Sequence, residues 1–578
     1  MIGRPVRRRE DRDLLLGNAA FLDDRVAPGA LELVFARSTH AHAELAAVDV
    51  GEAARMPGVA LAFSGEDLEL EPLVADLARP GARRIERPIL PRNRVRFTGE
   101  AIAAVVARDR YLAEDAAERI EVSYVPLEVI SSIEGALDPR LPALHEGDGN
   151  VIFAETYDHG DVEAGFQAAS AVIERTFRTP RYNAAPIEGR GVLAIPERDR
   201  LVIWSSTQIP HILEEALIAL LGVERVSVRC PDIGGGFGQK AHVFPEEVAV
   251  AWAALELGRP VRWVEDRVEN LISATHAREQ LLRARVATDS RGRLLALDAE
   301  VYSDVGAYAI YPWGQLLEAL GTPMILPGPY ELPAYRYRTH SVATNKAPQG
   351  AYRGVGLPVS AFVHERLMDL LARELDLDRA EIRRTNYIPP KRFPYQTASG
   401  LRYDSGRYQA ALDLALKRIG YDDFAAEQRR AASAGRRIGL GFASYVEWTG
   451  TNSDTYRQRG MRNVRGYDAG RVALQSDGSF SVWTSCPALG QGVATTFSQI
   501  VAEHLGVGLD LIRTELLDTE EAPRGSGSFA SRSAISAGGA LLSVARQLRE
   551  RLITLAAETL EARPDDIALD GCRAAVRG

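Results

Sequence analysis

The stretch VSVRCPDIGGGFGQKAHVFPEEVAVAWAALELG, residues 226–258, decides how the middle of this chain folds. It opens with alternating apolar residues, as a short β-strand does, and Pro231 ends that strand. Beyond the glycine run, apolar residues recur at helical spacing from Val248, and Gly258 stands where a helix would stop. The glycine-rich turn 234–240 is therefore predicted to connect a strand to a helix.

Patterns on either side of this stretch predict further mixed α/β structure. Residues 95–124 have the pattern strand, helix, strand, and a glycine turn at 354–356 precedes a second helical pattern. The Asp477-Gly478 dipeptide between two apolar runs predicts a hairpin with a type I′ turn. Gly490-Gln491-Gly492 then leads into another helix. The fold class is predicted to be α+β.

Two stretches of polar composition divide the chain. Residues 137–149 have the composition of a surface connection, and residues 392–437 that of a linker between larger domains. The predicted units are therefore 1–136, 150–391 and 438–578. At about 150 residues per domain, a chain of 578 residues has room for roughly four structural units.

Composition and charge exclude several classes of protein. Hydrophobic residues make up 46% of the chain and charged residues 25%, which excludes a disordered or fibrous chain. A formal net charge of −9 leaves no overall positive field for a nucleic acid. Arg7, Arg8 and Arg9 are followed at once by acidic residues, so this cluster is predicted to be a solvated terminus without function.

The chain shows no signal-peptide core and no apolar run of membrane-spanning length, which predicts a cytoplasmic protein. Its three cysteines, Cys230, Cys486 and Cys572, are too few and too far apart for an iron–sulfur site, a Cys-based zinc site or a disulfide framework. The histidines lack the spacing of metal ligands, so no protein-held metal is predicted. Any redox metal must arrive inside a cofactor.

Four segments place glycine beside a polar or aromatic side chain, where backbone N–H groups can approach an anionic ligand. The first, Gly234–Lys240, lacks the Walker ending and the Gly-x-Gly-x-x-Gly spacing, which disfavours a nucleoside triphosphate or NAD. The others are Ser206-Thr207-Gln208, Gly350–Gly354, and Gly490–Gly492 together with Gly525–Ser533. Each taken singly also fits a structural role: a tight turn, a strand cap, a core ion pair or a helix start.

In this order the four segments resemble the large subunit of molybdenum hydroxylases, the family of aldehyde oxidoreductases, xanthine dehydrogenases and carbon monoxide dehydrogenases. Arg37-Ser38, Ala41-His42-Ala43 and Arg96–Glu100 match the hammerhead domain of that family. The resemblance covers nearly the whole chain. It implies an N-terminal α/β hammerhead domain followed by two mixed α/β molybdopterin-binding domains, the second incomplete.

The resemblance also implies roles for individual residues. Gln208 would donate a hydrogen bond to an oxygen ligand of molybdenum, Phe237 would lie beside the metal, and Arg353 would lie next to pterin and metal; these three form the expected catalytic set. The serines and Gln491 would hold the pterin and its diphosphate. The expected cofactor-binding residues are Gln208, Gly236, Phe237, Gly238, Arg353, Gly490, Gln491, Gly492, Ser531 and Ser533.

The sequence departs from its relatives at four points. Gly354 stands where carbon monoxide oxidisers carry a copper-binding cysteine, and Ala241 and Val355 replace the glutamate and phenylalanine of purine hydroxylases. The Gly-Val-Gly-Glu motif with the family's catalytic glutamate is not found in residues 1–578. The chain is then a fragment, one half of a split subunit, or a homologue that no longer catalyses.

What the resemblance implies is hydroxylation of an aldehyde or N-heterocycle with water as oxygen source, by a subunit that is inactive alone. The expected cofactor is molybdopterin with molybdenum, in its cytosine dinucleotide form. Because the chain has only three cysteines and no dinucleotide fingerprint, an iron–sulfur subunit and an FAD subunit are expected partners, with a third chain possible for the missing segment. The alternative is a non-catalytic module that binds the cofactor.

Overall fold

The computed structural model describes residues 1–516, 518–571 and 573–577. Helices and strands alternate from the start of the chain, and the predicted strand, helix and strand within 95–124 are β5, α3 and β6. The N-terminal elements are α1 (Asp11–Leu16), β1 (Leu31–Arg37), β2 (Ala43–Asp49), α2 (Gly51–Arg55), β3 (Val59–Ser64), β4 (Arg94–Val95), β5 (Ala101–Ala107), α3 (Arg110–Ala117), β6 (Glu121–Pro126) and α4 (Ile133–Ala136).

The middle of the chain holds the longest strands. The glycine-rich turn 234–240 lies between β12 and α7, as predicted. The elements are β7 (Val151–His159), α5 (Val162–Gln167), β8 (Ala171–Thr179), β9 (Tyr182–Asn183), β10 (Gly191–Pro196), β11 (Leu201–Ser205), α6 (Pro210–Leu221), β12 (Val226–Arg229), α7 (Pro245–Leu257), β13 (Val261–Val264), α8 (Arg267–Ser273), β14 (His276–Ala277), β15 (Gln280–Thr288), β16 (Leu294–Gly306), α9 (Leu317–Ile325), β17 (Ala334–Ala343), α10 (Leu357–Glu374) and α11 (Arg379–Asn386).

The last part contains the remaining predicted helix after Gly492. Its elements are β18 (Tyr395–Gln396), β19 (Arg402–Tyr403), α12 (Tyr408–Ile419), α13 (Tyr421–Ser433), α14 (Ser453–Gln458), β20 (Gly470–Leu474), β21 (Phe480–Thr484), α15 (Val493–Leu505), β22 (Ile512–Glu515), a π-helical turn (Ser533–Ala537), α16 (Gly538–Thr559), β23 (Ile567–Asp570) and β24 (Arg573–Val576).

The largest sheet joins the N-terminal part of the chain to its middle. Its seven strands run in the order β12-β11-β10-β13-β1-β5-β3, and Leu31 of β1 pairs in parallel with Val261 of β13. A buried apolar layer packs α6 and α7 against this sheet. Strand β5 is buried at every position, as expected inside a sheet that is covered on both faces. The first predicted unit therefore shares one sheet with the second.

A five-stranded sheet, β7-β17-β16-β15-β8, forms a second core with α10 and α11. A three-stranded sheet, β20-β21-β22, packs against α15 and α16 through Phe480, Phe497 and Leu541.

Within the residues that the structure describes, no helix is long and apolar enough to cross a membrane.

The polar stretch 392–437 is not the linker that its composition predicts. It forms α12 and α13, and Leu412 of α12 belongs to the buried core that contains the five-stranded sheet. Most of the charged residues lie on the exposed faces of these two helices. Amphipathic helices with a narrow apolar stripe have a polar average composition, which explains the wrong prediction. The unit boundaries themselves stay predictions.

The hairpin of β20 and β21 forms, but its predicted type I′ turn is wrong. The backbone N–H of Gln475 donates to the carbonyl oxygen of Ser479 at 2.8 Å, which leaves three residues in the loop. Only Gly478 has a positive φ, +84°, whereas type I′ needs two such residues. Asp477 accepts a hydrogen bond from the N–H of Ser479 at 3.0 Å, and this local bond favours the longer loop.

The arginine cluster at the N-terminus is exposed, as predicted, but two of its side chains also bind a distant part of the chain. Arg9 donates to the carbonyl oxygen of Ile512 at 2.6 Å, and Glu10 accepts from the backbone N–H of Thr495 at 3.1 Å. Arg8 donates to the carbonyl oxygen of Gly490 at 2.6 Å. The first residues of the chain thus cover the start of α15, almost 500 residues away in sequence. Composition has no information on a contact of that range.

Candidate functional site

Gln208 joins three of the four predicted segments. It lies between β11 and α6, and its side chain is 3% exposed. Its Nε2 donates to the carbonyl oxygen of Ser528 at 2.6 Å, and its Oε1 accepts from the N–H of Gly238 at 2.8 Å. Its backbone N–H donates to the carbonyl oxygen of Lys240 at 2.8 Å. A terminal amide carries a second N–H, which remains for a ligand.

The glycines of the first turn are required by the close approach of neighbouring atoms. A Cβ on Gly236 would lie 2.5 Å from Oε1 of Gln208. Gly238 has a φ of +102°, and a Cβ there would lie 2.7 Å from the carbonyl oxygen of Ala351. The turn therefore touches both the Gln208 segment and the 350–354 segment. Only glycine allows both contacts.

Phe237 and Arg353 form an exposed pair at the junction of two segments. The backbone N–H of Arg353 donates to the carbonyl oxygen of Phe237 at 2.8 Å. The guanidinium carbon of Arg353 lies 4.6 Å from the centroid of the Phe237 ring, which is a cation–π contact. Phe237 is 37% exposed. Both side chains are thus held in place while a face of each stays open to a ligand.

Arg278, which sequence reasoning missed, supports this turn from behind. Its side chain donates to the carbonyl oxygen of Arg353 and stacks on Tyr352 at 4.3 Å from the ring centroid. Its backbone N–H donates to Glu318 at 3.0 Å. Burial raises the pKa of Glu318 to about 7. A positive φ of +67° at Arg278 was the only unusual local feature, and sequence does not reveal it.

The serine-rich segment meets the Gly490–Gly492 turn, but not through all the predicted residues. Nε2 of Gln491 donates to Oγ of Ser528 at 3.2 Å, and Oγ of Ser528 lies 3.1 Å from Oγ of Ser533. Ser531 is exposed and donates instead to Glu447 at 3.0 Å. Gln491 and Ser533 therefore lie in one cluster, and Ser531 lies outside it.

Two helix starts converge on this cluster. α15 begins at Val493, directly after the glycine turn, and the π-helical turn before α16 begins at Ser533. In the part of the chain that the structure describes, the backbone N–H groups of Gly490, Gln491 and Gly492 have no hydrogen-bond acceptor. Free N–H groups and the positive ends of helix dipoles together suit an anion such as a diphosphate.

A buried ion pair fixes the base of the serine-rich segment. Nη1 of Arg532 lies 3.0 Å from Oδ2 of Asp468, and both side chains are 0% exposed. Asp468 also accepts from the N–H of Ser526 at 3.1 Å. Burial raises the pKa of Asp468, and Arg532 acts against that shift. Sequence reasoning passed over both residues, since Arg532 stands among serines and Asp468 in a loop.

Lys240 of the first glycine motif does not face a ligand. Its Nζ donates to Oε2 of Glu188 at 2.7 Å, and burial lowers the pKa of Lys240. The same carboxylate oxygen accepts from the N–H of Gly234 at 2.9 Å. Ala241, expected to face a substrate, is fully buried, and its carbonyl oxygen accepts from Trp313 at 2.7 Å. Val355 is partly exposed with a φ of +49°.

Glu246 and Glu247 lie in the first turn of α7, and both are buried. Oε2 of Glu247 accepts from the N–H of Phe244 at 3.0 Å, and Oε1 accepts from Ser205 at 2.8 Å. Burial raises the pKa of Glu247 to about 7.

Among the described residues, no group of three or more histidine, cysteine, aspartate or glutamate side chains has the arrangement of a metal site.

Replacing Glu247 with glutamine is expected to change the pH dependence of stability. Burial raises the pKa of Glu247 from its ordinary value of about 4.5 to about 7, so the free energy of unfolding of the wild type falls as pH rises from about 4.5 to about 7. Glutamine does not ionise, so the free energy of unfolding of the variant should rise by roughly 3 kcal/mol relative to that of the wild type across that window. Urea unfolding at several pH values measures it, with exposed Glu224→Gln as control. A difference that does not vary with pH would contradict the assignment.

Three family descriptions match the chain. Residues 16–128 match the aldehyde oxidase and xanthine dehydrogenase a/b hammerhead domain, and residues 144–387 and 414–577 each match a molybdopterin cofactor-binding domain. The chain is 36% identical to the nicotine 6-hydroxylase large subunit of Paenarthrobacter nicotinovorans, covering 100% of this chain and 71% of that one. It is 32% identical to the carbon monoxide dehydrogenase large chain of Afipia carboxidovorans, covering 100% and 74%.

A solved structure is similar over the full length of the chain. Quinoline 2-oxidoreductase from Pseudomonas putida 86 superposes with a TM-score of 0.96 at 36% identity. The match covers 100% of this chain and 74% of that one. The likeness therefore includes all four segments of the site.

Proposed function

The chain belongs to the family of molybdopterin-binding large subunits of molybdenum hydroxylases, and from that membership we propose a function for its site. It binds molybdopterin where the four segments meet and, in a complete complex, hydroxylates an aldehyde or an N-heterocycle with oxygen from water. The observation that carries this proposal is the set of hydrogen bonds by which Gln208 joins Gly238, Lys240 and Ser528.

The residues present fit such a cofactor. Gly236 and Gly238 pack closely against Gln208 and Ala351, which fixes the turn and leaves the Phe237 side chain exposed beside it. The unpaired N–H groups of Gly490, Gln491 and Gly492 suit the diphosphate of a dinucleotide form, for which we propose cytosine. Arg532 is buried in the serine-rich segment, where its ion pair with Asp468 holds the backbone next to Ser533 in place.

The bound cofactor supplies two-electron redox chemistry at its metal. The protein's own contribution is to hold the groups of the site in fixed positions. Gln208, fixed at both ends of its amide, presents its remaining N–H at a set point, and Phe237 and Arg353 close one side of the site. Ser533 and Gln491 hold the end where we place the diphosphate. Preorganised donors of this kind need no rearrangement during the reaction.

The general base is proposed to come from outside residues 1–578. Of two carboxyl groups near the site, buried Glu318 accepts from Gln280 and Gln349, and partly exposed Glu188 accepts from Lys240. Each is committed to positioning a loop. The chain also contains no Gly-Val-Gly-Glu motif. The second candidate is a non-catalytic module that binds the cofactor, and the two are separated by whether a segment with that motif restores turnover.

Among substrates, we expect N-heterocycles and aldehydes to be preferred over xanthine. Val355 lacks the aromatic face that would stack on a purine, an interaction worth roughly 0.5–1.5 kcal/mol beyond burial. Two relatives, nicotine 6-hydroxylase and quinoline 2-oxidoreductase, are named for N-heterocycles. Ala241 is buried, so its one effect on this preference is that it lacks the carboxylate that purine hydroxylases carry at this position. Steady-state kcat/KM values over a substrate panel measure it, and a highest value for xanthine would contradict it.

Partners follow from the missing redox groups. With three cysteines in the chain, iron–sulfur clusters belong on a separate small subunit and FAD on a medium subunit. Two relatives are named as a large subunit and a large chain, which supports a complex of several subunits. We propose a heteromeric complex of this composition, located in the cytoplasm. Co-purification from the native host tests its composition.

A further inference from the structure

Residues 8–22, which we call the strap, contact both glycine turns of the proposed cofactor site. They contain α1 and two arginines of the cluster for which the sequence predicts no function. Residues 8–10 lie at the turn 490–492, and residues 20–22 lie at the base of the turn 234–240. A single short segment thus reaches two turns that are distant from it and from each other in sequence.

Glu10 of the strap caps α15 from outside the helix. The residue before α15 is Gly492, which has no side chain that could accept from the first N–H groups of the helix. Oε1 of Glu10 accepts from the N–H of Thr495, the third residue of α15, at 3.1 Å, and Oε2 accepts from the hydroxyl of Thr495. The N–H of Arg9 donates to the same hydroxyl oxygen at 2.8 Å. The strap therefore supplies the cap that Gly492 cannot.

Arg8 holds the turn that precedes this helix. Its Nη1 donates to the carbonyl oxygen of Gly490 at 2.6 Å. Its Cδ lies so close to the turn that a Cβ at Gly492 would be 3.1 Å away from it. Arg8 and Glu10 therefore fix the backbone immediately before and after the N–H groups for which we propose the diphosphate.

The other end of the strap supports the first glycine turn. The N–H of Ala20 donates to Oδ2 of Asp232 at 2.9 Å, and the N–H of Asp232 donates to the carbonyl oxygen of Ala20 at 3.1 Å. The N–H of Leu22 donates to Oε1 of Glu188 at 3.3 Å. Oε2 of the same carboxylate accepts from the first and the last residue of the turn 234–240. Because the side chain of Leu22 is only 2% exposed, this end of the strap is packed into the protein.

We propose that the strap holds the two glycine turns in a fixed position relative to each other and so retains the cofactor, with Arg8 and Glu10 as positioning residues. This inference rests on the proposed function, since it takes one ligand to occupy both turns. A ligand held at two places binds more tightly when both are already fixed, because less of the ordering cost falls on binding. Loosening one end of the strap should therefore speed the loss of the cofactor.

The test compares Arg8→Ala, Glu10→Ala and Glu10→Gln in the complex purified from its native host, and follows the molybdenum retained per chain during prolonged dialysis. The control is Arg7→Ala, which removes the same charge from the neighbouring exposed side chain. We expect Arg8→Ala and Glu10→Ala to lose molybdenum about fivefold faster than the wild type, the usual size of the loss of a helix cap. Glu10→Gln keeps an acceptor oxygen for the N–H of Thr495, so it should stay close to the wild type.

Amide hydrogen exchange of the cofactor-free chain gives a second readout that is independent of the proposed function. The N–H of Thr495 should exchange about fivefold faster in Glu10→Ala than in the wild type or Glu10→Gln, while the denaturant midpoint of the chain changes little.

Equal retention of molybdenum by the wild type and both alanine variants would overturn the proposal. Loss by Glu10→Ala and Glu10→Gln alike, or loss that accompanies a large fall in the denaturant midpoint, would also overturn it, since general destabilisation would then be the cause. A wild-type complex without molybdenum would instead contradict the proposed function. The retention measured for the wild type therefore separates the two failures.

Discussion

Replacing Asp468 with asparagine is expected to lower the free energy of unfolding of the part of the chain that holds β20–β22, α15 and α16 by about 3–5 kcal/mol. Asp468 and Arg532 are both fully buried and lie 3.0 Å apart. Asparagine cannot neutralise the guanidinium, so the variant would leave a buried charge unpaired. Because Arg532 lies between Ser531 and Ser533, the serine-rich segment should lose its fixed position as well. Denaturant unfolding measures the loss.

The matched control is Asp454→Asn. Asp454 pairs with Arg457 at 2.6 Å, but both side chains are at least 70% exposed. Exposed pairs contribute about 0–1 kcal/mol, so this variant should unfold much like the wild type. Equal and small effects of the two substitutions would show that the buried pair does not stabilise the segment.

Adding the missing segment is expected to raise turnover of the cofactor-loaded complex by about 10²–10⁴-fold, the range typical of a general base. The physical reason is that Glu318 and Glu188, the two carboxyl groups described near the site, already accept hydrogen bonds from Gln280, Gln349 and Lys240. The measurement is steady-state hydroxylation by residues 1–578 with their partner subunits, with and without the segment.

The control is the same segment with the glutamate of its Gly-Val-Gly-Glu motif replaced by glutamine. It should bind equally and restore no turnover. Full activity of residues 1–578 without the segment would show that a residue of this chain is the base. Activity that neither segment restores would favour the non-catalytic module.

The sequence predicted the parts of the fold that depend on local patterns. The strand before Pro231, the helix ending at Gly258 and the helix after Gly492 are all present, because period and stop signals are short-range features. The comparisons confirm the predicted hammerhead domain followed by two molybdopterin-binding domains. The prediction of these domains depended on the order of the glycine segments, which the sequence shows directly.

The sequence did not predict the long-range contacts. Ser528 meets Gln208 across 320 residues, and Arg8 meets Gly490 across 482. Neither residue has a local pattern that indicates its partner. Ser531 and Ser533 look equivalent in sequence, but the start of a helix turns one toward Ser528 and leaves the other on Glu447. Which member of a polar run enters a site depends on backbone direction at that point.

The most direct test of the central claim is metal and pterin analysis of the complex purified from its native host, beside two glycine variants. We predict about one molybdenum and one pterin dinucleotide per chain, and no stoichiometric copper, because Gly354 has no thiolate. Gly527→Ala should lose the cofactor, since a Cβ there would lie 2.2 Å from the carbonyl oxygen of Gln208 at a φ of +98°, whereas Gly539→Ala, with nothing within 4 Å, should keep it. A wild-type complex with all its subunits but without molybdenum, or a folded Gly527→Ala protein with full molybdenum content, would contradict the account.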